Sequence, residues 1–426
     1  MKKIGLTAST ALTVGNMVGS GIFLLPASLA LYGGISLLGW VFAAIGAFTL
    51  AVVFKGLAAE FPNVHGGPYA YTQKVFGDFA AFIVGWGYWI SIWCTNAAIA
   101  VAFVGYLGLF IPEVAEQKIL SILTGVSVIW LCSAVNFSSL LLISRLQKWI
   151  TILKITPILA VICIGVWYAD WQMINLNNLS DINLFQSITA TTTLALFAFL
   201  GLESATINSN STRDSAKTVG KAGVLAMSIT TLLYLSSSVV IFGLLPMSTL
   251  QESTAPFADA SAVFLGNTAK YIIGIMALIV TLGALNGWIL IQGQVPLAMV
   301  NDELFPSFFG RKNKKNAPYL GIIISSFLAS IVLIFRYSDS LIQVFSFMMN
   351  LSTLSVLTPF IMSILSLAMC LSNQNKSSRS HNILIGFSLL FCIWMIYGVG
   401  LEVFLYGMGL IGIGIILYLI FKTSKR

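Results

Sequence analysis

The sequence predicts an all-α integral membrane protein of about twelve transmembrane helices, two of them discontinuous. Three observations carry this. The 426 residues are 58% hydrophobic and only 8% charged, a balance foreign to soluble globular domains. Apolar runs recur along the whole chain, each long enough to cross ~30 Å of hydrocarbon with about 20 helical residues. Two of those runs are interrupted midway, one through Thr13-Val14-Gly15-Asn16-Met17-Val18-Gly19-Ser20-Gly21-Ile22-Phe23 and one through Phe197-Ala198-Phe199-Leu200-Gly201-Leu202-Glu203-Ser204.

In chain order the spans fall near 6–31, 35–58, 79–110, 119–137, 147–168, 184–210, 220–245, 269–300, 318–335, 341–371, 382–400 and 403–421. The first follows Lys2 and Lys3 and ends near Ala27-Ser28-Leu29-Ala30, as a signal peptide would. Its apolar core is broken by Gly15-Asn16 and Gly19-Ser20-Gly21, and further spans follow at once, so a retained helix is expected. Connections are short, the longest being Pro62–Asp78, Ala169–Asn183, Pro246–Gly266, Asp302–Pro318 and Ser372–Asn382, which leaves no room for a soluble domain. Residues 1–168 and 184–371 each hold about five spans and each opens on a broken helix, the pattern of an inverted repeat. Residues 382–426 add two spans and a tail. There Gly407, Gly409, Gly412 and Gly414 permit close helix packing and suit a homodimer contact.

The net charge of +8 is laid out by side. One set of loops and tails collects Lys2, Lys3, Lys55, Lys74, Arg311, Lys312, Lys314, Lys315, Lys376, Lys422 and others, while the opposite set has Lys118, Lys270 and Arg336. This asymmetry places both termini in the cytoplasm and the chain in the inner membrane. The basic balance then reports orientation and contact with the lipid bilayer, with no nucleic-acid partner implied. Cys94, Cys132, Cys163, Cys370 and Cys392 suggest neither disulfides nor zinc, and His65 and His381 are loop residues. No nucleotide loop, metal cluster or Ser-His-Asp arrangement is visible, so no enzyme and no cofactor are expected.

Irregular backbone survives in hydrocarbon only beside protein or a cavity, and paired breaks in two halves point to a substrate site between them. At the first break, N–H groups around Ser20 and Gly21 open a half-helix and would attract a carboxylate. Carbonyls of Met17, Phe197 and Leu200 could accept from an ammonium. Taken singly, a glycine packing motif explains the first break as well; the second break favours a site. Two ionisable residues look deep in the membrane, Lys154 and Glu203, and default to functional roles in carrying protons or gating. Snorkelling of Lys154 and a purely structural anchor at Glu203 are the bland alternatives. Trp288, Phe197, Tyr88, Trp89 and Trp93 are aromatic candidates for the cavity, and Asn96 is a polar group in the third span that needs a partner.

These stretches resemble the amino acid–polyamine–organocation superfamily. Asn16-Met17-Val18-Gly19-Ser20-Gly21-Ile22-Phe23-Leu24-Leu25-Pro26 is similar to its first-helix signature, and Pro62-Asn63-Val64-His65-Gly66-Gly67-Pro68-Tyr69-Ala70-Tyr71 to its Gly-Gly loop. Phe199-Leu200-Gly201-Leu202-Glu203 resembles its sixth-helix break. The resemblance implies a LeuT-type fold, two inverted five-helix repeats plus two further helices, working by alternating access. Within it the arginine/agmatine and lysine/cadaverine antiporter branch looks nearest. By that pattern Ser20 and Gly21 would hold the substrate carboxylate, and the carbonyls of Met17, Phe197 and Leu200 its amino group. Trp288 would pack on the substrate side chain, Asn96 would line the pocket, and Glu203 would act in proton-dependent behaviour. Two positions depart. Phe197 stands at a position that resembles one held by tryptophan in the arginine antiporters, which weakens guanidinium selectivity, and Lys154 looks like the fifth-helix lysine of proton-coupled amino acid transporters, where an ammonium takes a sodium ion's place.

The expectation is therefore a secondary active amino acid permease, sodium-independent, coupled to protons or exchanging. A cationic amino acid/polyamine antiporter is the alternative. A membrane channel is the rival from another class, though no repeated filter or charged ring is seen.

Overall fold

A membrane-spanning segment must close its backbone hydrogen bonds on itself, so apolar sequence of this kind folds as helix. The computed structural model describes residues 5–19, 21–62, 64, 66–138, 140–207, 215–336 and 339–424, and among these no strand occurs. The helices are α1 Leu6–Met17, α2 Gly21–Ala30, α3 Ser36–Glu60, α4 Pro68–Leu107, α5 Pro112–Glu116, α6 Lys118–Asn136, α7 Leu140–Gly165 and α8 Leu184–Phe197. They continue with α9 Ser204–Ile207, α10 Ser215–Leu244, α11 Met247–Glu252, α12 Pro256–Asn301, α13 Tyr319–Phe335, α14 Leu341–Asn373, α15 Arg379–Gly398 and α16 Leu401–Ser424. Eight are long and apolar enough to cross a membrane. The bent pair α1–α2 and the shorter apolar helices Leu153–Gly165, α8 and α13 bring the spans to about twelve.

Local sequence sets the ends. Asn183 caps α8 by accepting from the Gln186 N–H at 2.9 Å, and Ser340 with Gln343 forms a reciprocal capping box at α14. Two expected loops contain helix. Pro68 opens a helical segment that runs into the third span across Gly77, whose φ is 78°. Likewise Pro256 opens one that joins the eighth span across Gly266, with φ 67°. A proline at the first helical position needs no N–H donor there, and each glycine absorbs the corner that L side chains resist. Hydropathy alone missed both, because these short helices lie outside the apolar runs.

Helix α14 lies along α4, α10 along α3, and α3 along α8. Glycine sets the closest approaches. A Cβ at Gly39 would stand 2.7 Å from the Thr191 carbonyl carbon, so α3 and α8 approach backbone to backbone there. On the outermost helix, a Cβ at Gly409 would meet nothing within 4 Å. Gly39→Val should accordingly destabilise the detergent-solubilised protein by about 1–3 kcal/mol, while Gly409→Val stays near wild type. Thermal unfolding of the two variants side by side checks this.

Candidate functional site

Each break begins with backbone that cannot continue its helix. Helix α1 ends at Met17, Val18 leaves helical geometry at ψ 80°, and the Gly19 N–H turns back onto the Met17 carbonyl at 2.7 Å. Helices α1 and α2 meet at a bend of 48°. In the second break, residues 198–203 run as turns between α8 and α9. Gly201 there has φ +102°, and a Cβ on it would lie 3.2 Å from the Asn16 carbonyl oxygen and 3.3 Å from the Met17 nitrogen. Only glycine lets the two breaks touch. The Phe197 ring closes the other side against Gly21, where a Cβ would meet ring carbon Cε1 at 2.7 Å.

Polar groups freed by the breaks are then taken up one by one. The Gly15 carbonyl has lost its partner at Gly19 and accepts instead from Lys154 Nζ of α7 at 2.9 Å. The Met17 carbonyl accepts from both the Gly19 N–H and the Tyr234 hydroxyl of α10, the latter at 2.7 Å, which uses its two lone pairs. Glu203, fully buried, takes the Gly201 N–H on Oε2 at 3.1 Å and the Tyr88 hydroxyl on Oε1 at 2.9 Å. It pins the second break and ties it to α4.

Two cavities flank this junction. The smaller, about 20 Å³, is bounded by Met17, Gly19 and Gly21 of the first break, Phe197 and Leu200 of the second, and Trp288 of α12. That is space for about one water. The larger, about 530 Å³, reaches from Asn16, Gly201 and Trp288 to Tyr69 and Asp302, whose side chains hydrogen-bond at 2.9 Å. Asn16 and Trp288 line both and form the partition. Along α2, Phe23, Tyr106 and Phe257 pack ring on ring with at most 0% exposure, and the Tyr106 hydroxyl donates to the Phe23 carbonyl at 2.9 Å. That end of the path is sealed.

The residues singled out from sequence thus divide. Met17, Gly21, Phe197, Leu200 and Trp288 line one cavity, and Ser20 lies outside the described residues. Lys154 and Glu203 each grip one break from behind the cavity. Asn96 lines neither cavity. It is fully buried, and its Nδ2 donates to Gln292 Oε1 at 2.6 Å, because an amide in hydrocarbon takes the nearest polar partner. Trp89 joins the same seam, donating to Ser325 Oγ at 2.8 Å. Sequence reasoning passed over Thr95, which lines the smaller cavity, and Asp302 and Tyr234. Thr95 adjoins the chosen Asn96, so a helical-wheel comparison was the signal available; a tyrosine in an apolar span and an acid at a span end carry none. Among the described residues no cluster of three or more metal-ligating side chains occurs.

The chain belongs to the amino acid permease family, whose model matches residues 4–421. It is similar to the putrescine transporter of Haemophilus influenzae, 30% identical over 98% of this chain and 96% of that one. The cadaverine/lysine antiporter of Escherichia coli K12 is 32% identical over 76% of this chain and 73% of its own. A putrescine transporter of the same bacterium is 29% identical over 95% and 93%. Family membership makes this a multi-pass membrane transporter.

Gly201→Ala tests the meeting of the breaks. Strain at φ +102° and the contact with Asn16 should cut transport about tenfold or more at normal membrane expression, whereas Gly223→Ala, with open space around it, should leave transport unchanged. Initial uptake rates in matched vesicles decide.

Proposed function

We propose that this permease is a sodium-independent exchanger of the inner membrane that carries cationic amino acids against amines by alternating access. One observation supports the substrate class above others. Among the described residues, the lining of the 530 Å³ cavity holds one carboxylate, Asp302, and no Lys, Arg or His, while Tyr69, Tyr88 and Trp288 offer aromatic faces. Such a surface favours cations, through charge at the mouth and ring quadrupoles further in. The names of the relatives, which specify putrescine, cadaverine and lysine, point the same way.

In this reading the substrate passes Asp302 and crosses Trp288, and the breaks part to bind it, since the space between them here is about 20 Å³. Its carboxylate meets the start of α2 at Gly21, and its ammonium meets acceptors on the second break. Lys154 supplies a resident ammonium on the Gly15 carbonyl, which supports sodium independence, and its proton gives a handle for coupling. Glu203 holds the gate closed through Tyr88. Both termini lie in the cytoplasm, with Lys55, Lys74, Lys312 and Lys376 on the same side and Asp302 at the cytoplasmic mouth.

Counterflow in proteoliposomes tests the function. Internal lysine or cadaverine should accelerate entry of labelled lysine severalfold, equally in sodium and potassium media. No acceleration by any amino acid or amine would overturn the exchange reading. Lys154→Ala should abolish uptake driven by a pH gradient; an unchanged rate and pH profile would remove Lys154 from coupling. Asp302→Asn should raise KM for cadaverine several-fold more than for neutral amino acids.

A further inference from the structure

Behind the smaller cavity, hydroxyl groups form a chain whose proton directions are determined. Ser352 Oγ of α14 lies 2.9 Å from the Ser91 carbonyl and 2.8 Å from Thr95 Oγ1. A carbonyl can only accept, so the Ser352 proton belongs to Ser91. The Thr95 proton then goes to Ser352. The reverse orientation makes one hydrogen bond fewer and leaves the Thr95 proton without an acceptor in a buried place, the costlier arrangement. Thr95 is 5% exposed and Ser352 fully buried. Thr95 lines the smaller cavity, and with its single proton committed to Ser352 its Oγ1 has only lone pairs left to offer a ligand there.

Of the three carbonyls singled out from the sequence, two are already engaged. Met17 O already takes two donors, and Phe197 O accepts from the Leu200 N–H at 3.0 Å. Leu200 O accepts from no described residue. We propose that Thr95 Oγ1 is a specificity-determining acceptor for an ammonium group of the substrate, sharing that group with the Leu200 carbonyl. A hydroxyl or carboxylate oxygen placed there would face lone pairs from both sides, so the arrangement selects N–H donors. The inference rests on the reading of this cavity as the substrate site and adds which atom discriminates.

The test uses the full-length protein in proteoliposomes, with Thr95→Val, which keeps the shape and deletes the oxygen, and Thr95→Ser, which keeps the oxygen. Lysine, norleucine (α-ammonium only) and 6-aminohexanoate (terminal ammonium only) are the probes, read as KM or inhibition constants. Thr95→Val should weaken lysine about tenfold or more, the worth of a hydrogen bond to a charged donor, and Thr95→Ser should stay within about twofold. The loss should be shared by norleucine alone if the α-ammonium binds Thr95, or by 6-aminohexanoate alone if the terminal one does. An equal loss on all three probes indicates a structural effect and overturns the proposal, as does no loss on any while exchange persists. Should Thr95→Val fail to fold, Ser352→Ala stands in. It frees the Thr95 proton to turn inward and should weaken lysine several-fold; an unchanged constant overturns the proposal. Absence of exchange in the wild type would instead sink the functional reading itself.

Discussion

A carbonyl or N–H released from a helix inside hydrocarbon has no water to turn to, and this one constraint organises the centre of the molecule. Both breaks release such groups. Lys154 takes the Gly15 carbonyl, Tyr234 and the Gly19 N–H take the Met17 carbonyl, and Glu203 takes the Gly201 N–H. The donors and acceptors come from α7, α10 and the second break itself, so satisfying the backbone also fixes which helices surround it. Leu200, which lines the cavity, keeps a carbonyl that accepts from no described residue. Groups without a protein partner at such a place are what a ligand can supply.

The same constraint separates a stiff part from a yielding one. Helices α4, α6, α12 and α13 share a buried polar seam in which Asn96, Gln292, Ser326 and Ser133 follow one another at 2.6–2.8 Å. Alongside it, Asn136 Nδ2 reaches Asn286 Oδ1 at 2.9 Å. Side-chain hydrogen bonds between continuous helices resist sliding. By contrast the two breaks meet each other through glycine contacts, and one hydrogen bond from Lys154 and one from the Gly201 N–H to Glu203 hold them. Motion that alternates access would concentrate at the breaks, where few bonds must be exchanged, and leave the seam intact.

Much of this was legible before any coordinates. The spans follow from hydropathy, and the breaks from glycine and polar residues placed where lipid forbids irregular backbone. Lys154 and Glu203 stood out because a charge in hydrocarbon needs a reason. What sequence could not supply was pairing. Asn96 fits a pocket by pattern, yet Gln292, 196 residues on in the chain, captures its amide. Thr95 is an unremarkable residue in a helix until Ser352 of another helix orients its proton. Helices Pro68–Phe76 and Pro256–Leu265 were hidden because their start signals are single prolines, and their corners single glycines.

Glu203, an anchor in this structure, has the chemistry for the gating role proposed above. As a carboxylate it spends one oxygen on the Gly201 N–H and the other on the Tyr88 hydroxyl. A proton on Oε1 can be donated to the Tyr88 oxygen, which accepts as well as donates, so the Tyr88 proton must then find another acceptor. A proton on Oε2 opposes the Gly201 N–H, which can only donate, and the Gly201 peptide must turn. That turn moves Gly201 off Asn16, where the breaks meet. Anchoring and switching are therefore not rival roles, since the strength of the two hydrogen bonds is what makes their loss on protonation consequential.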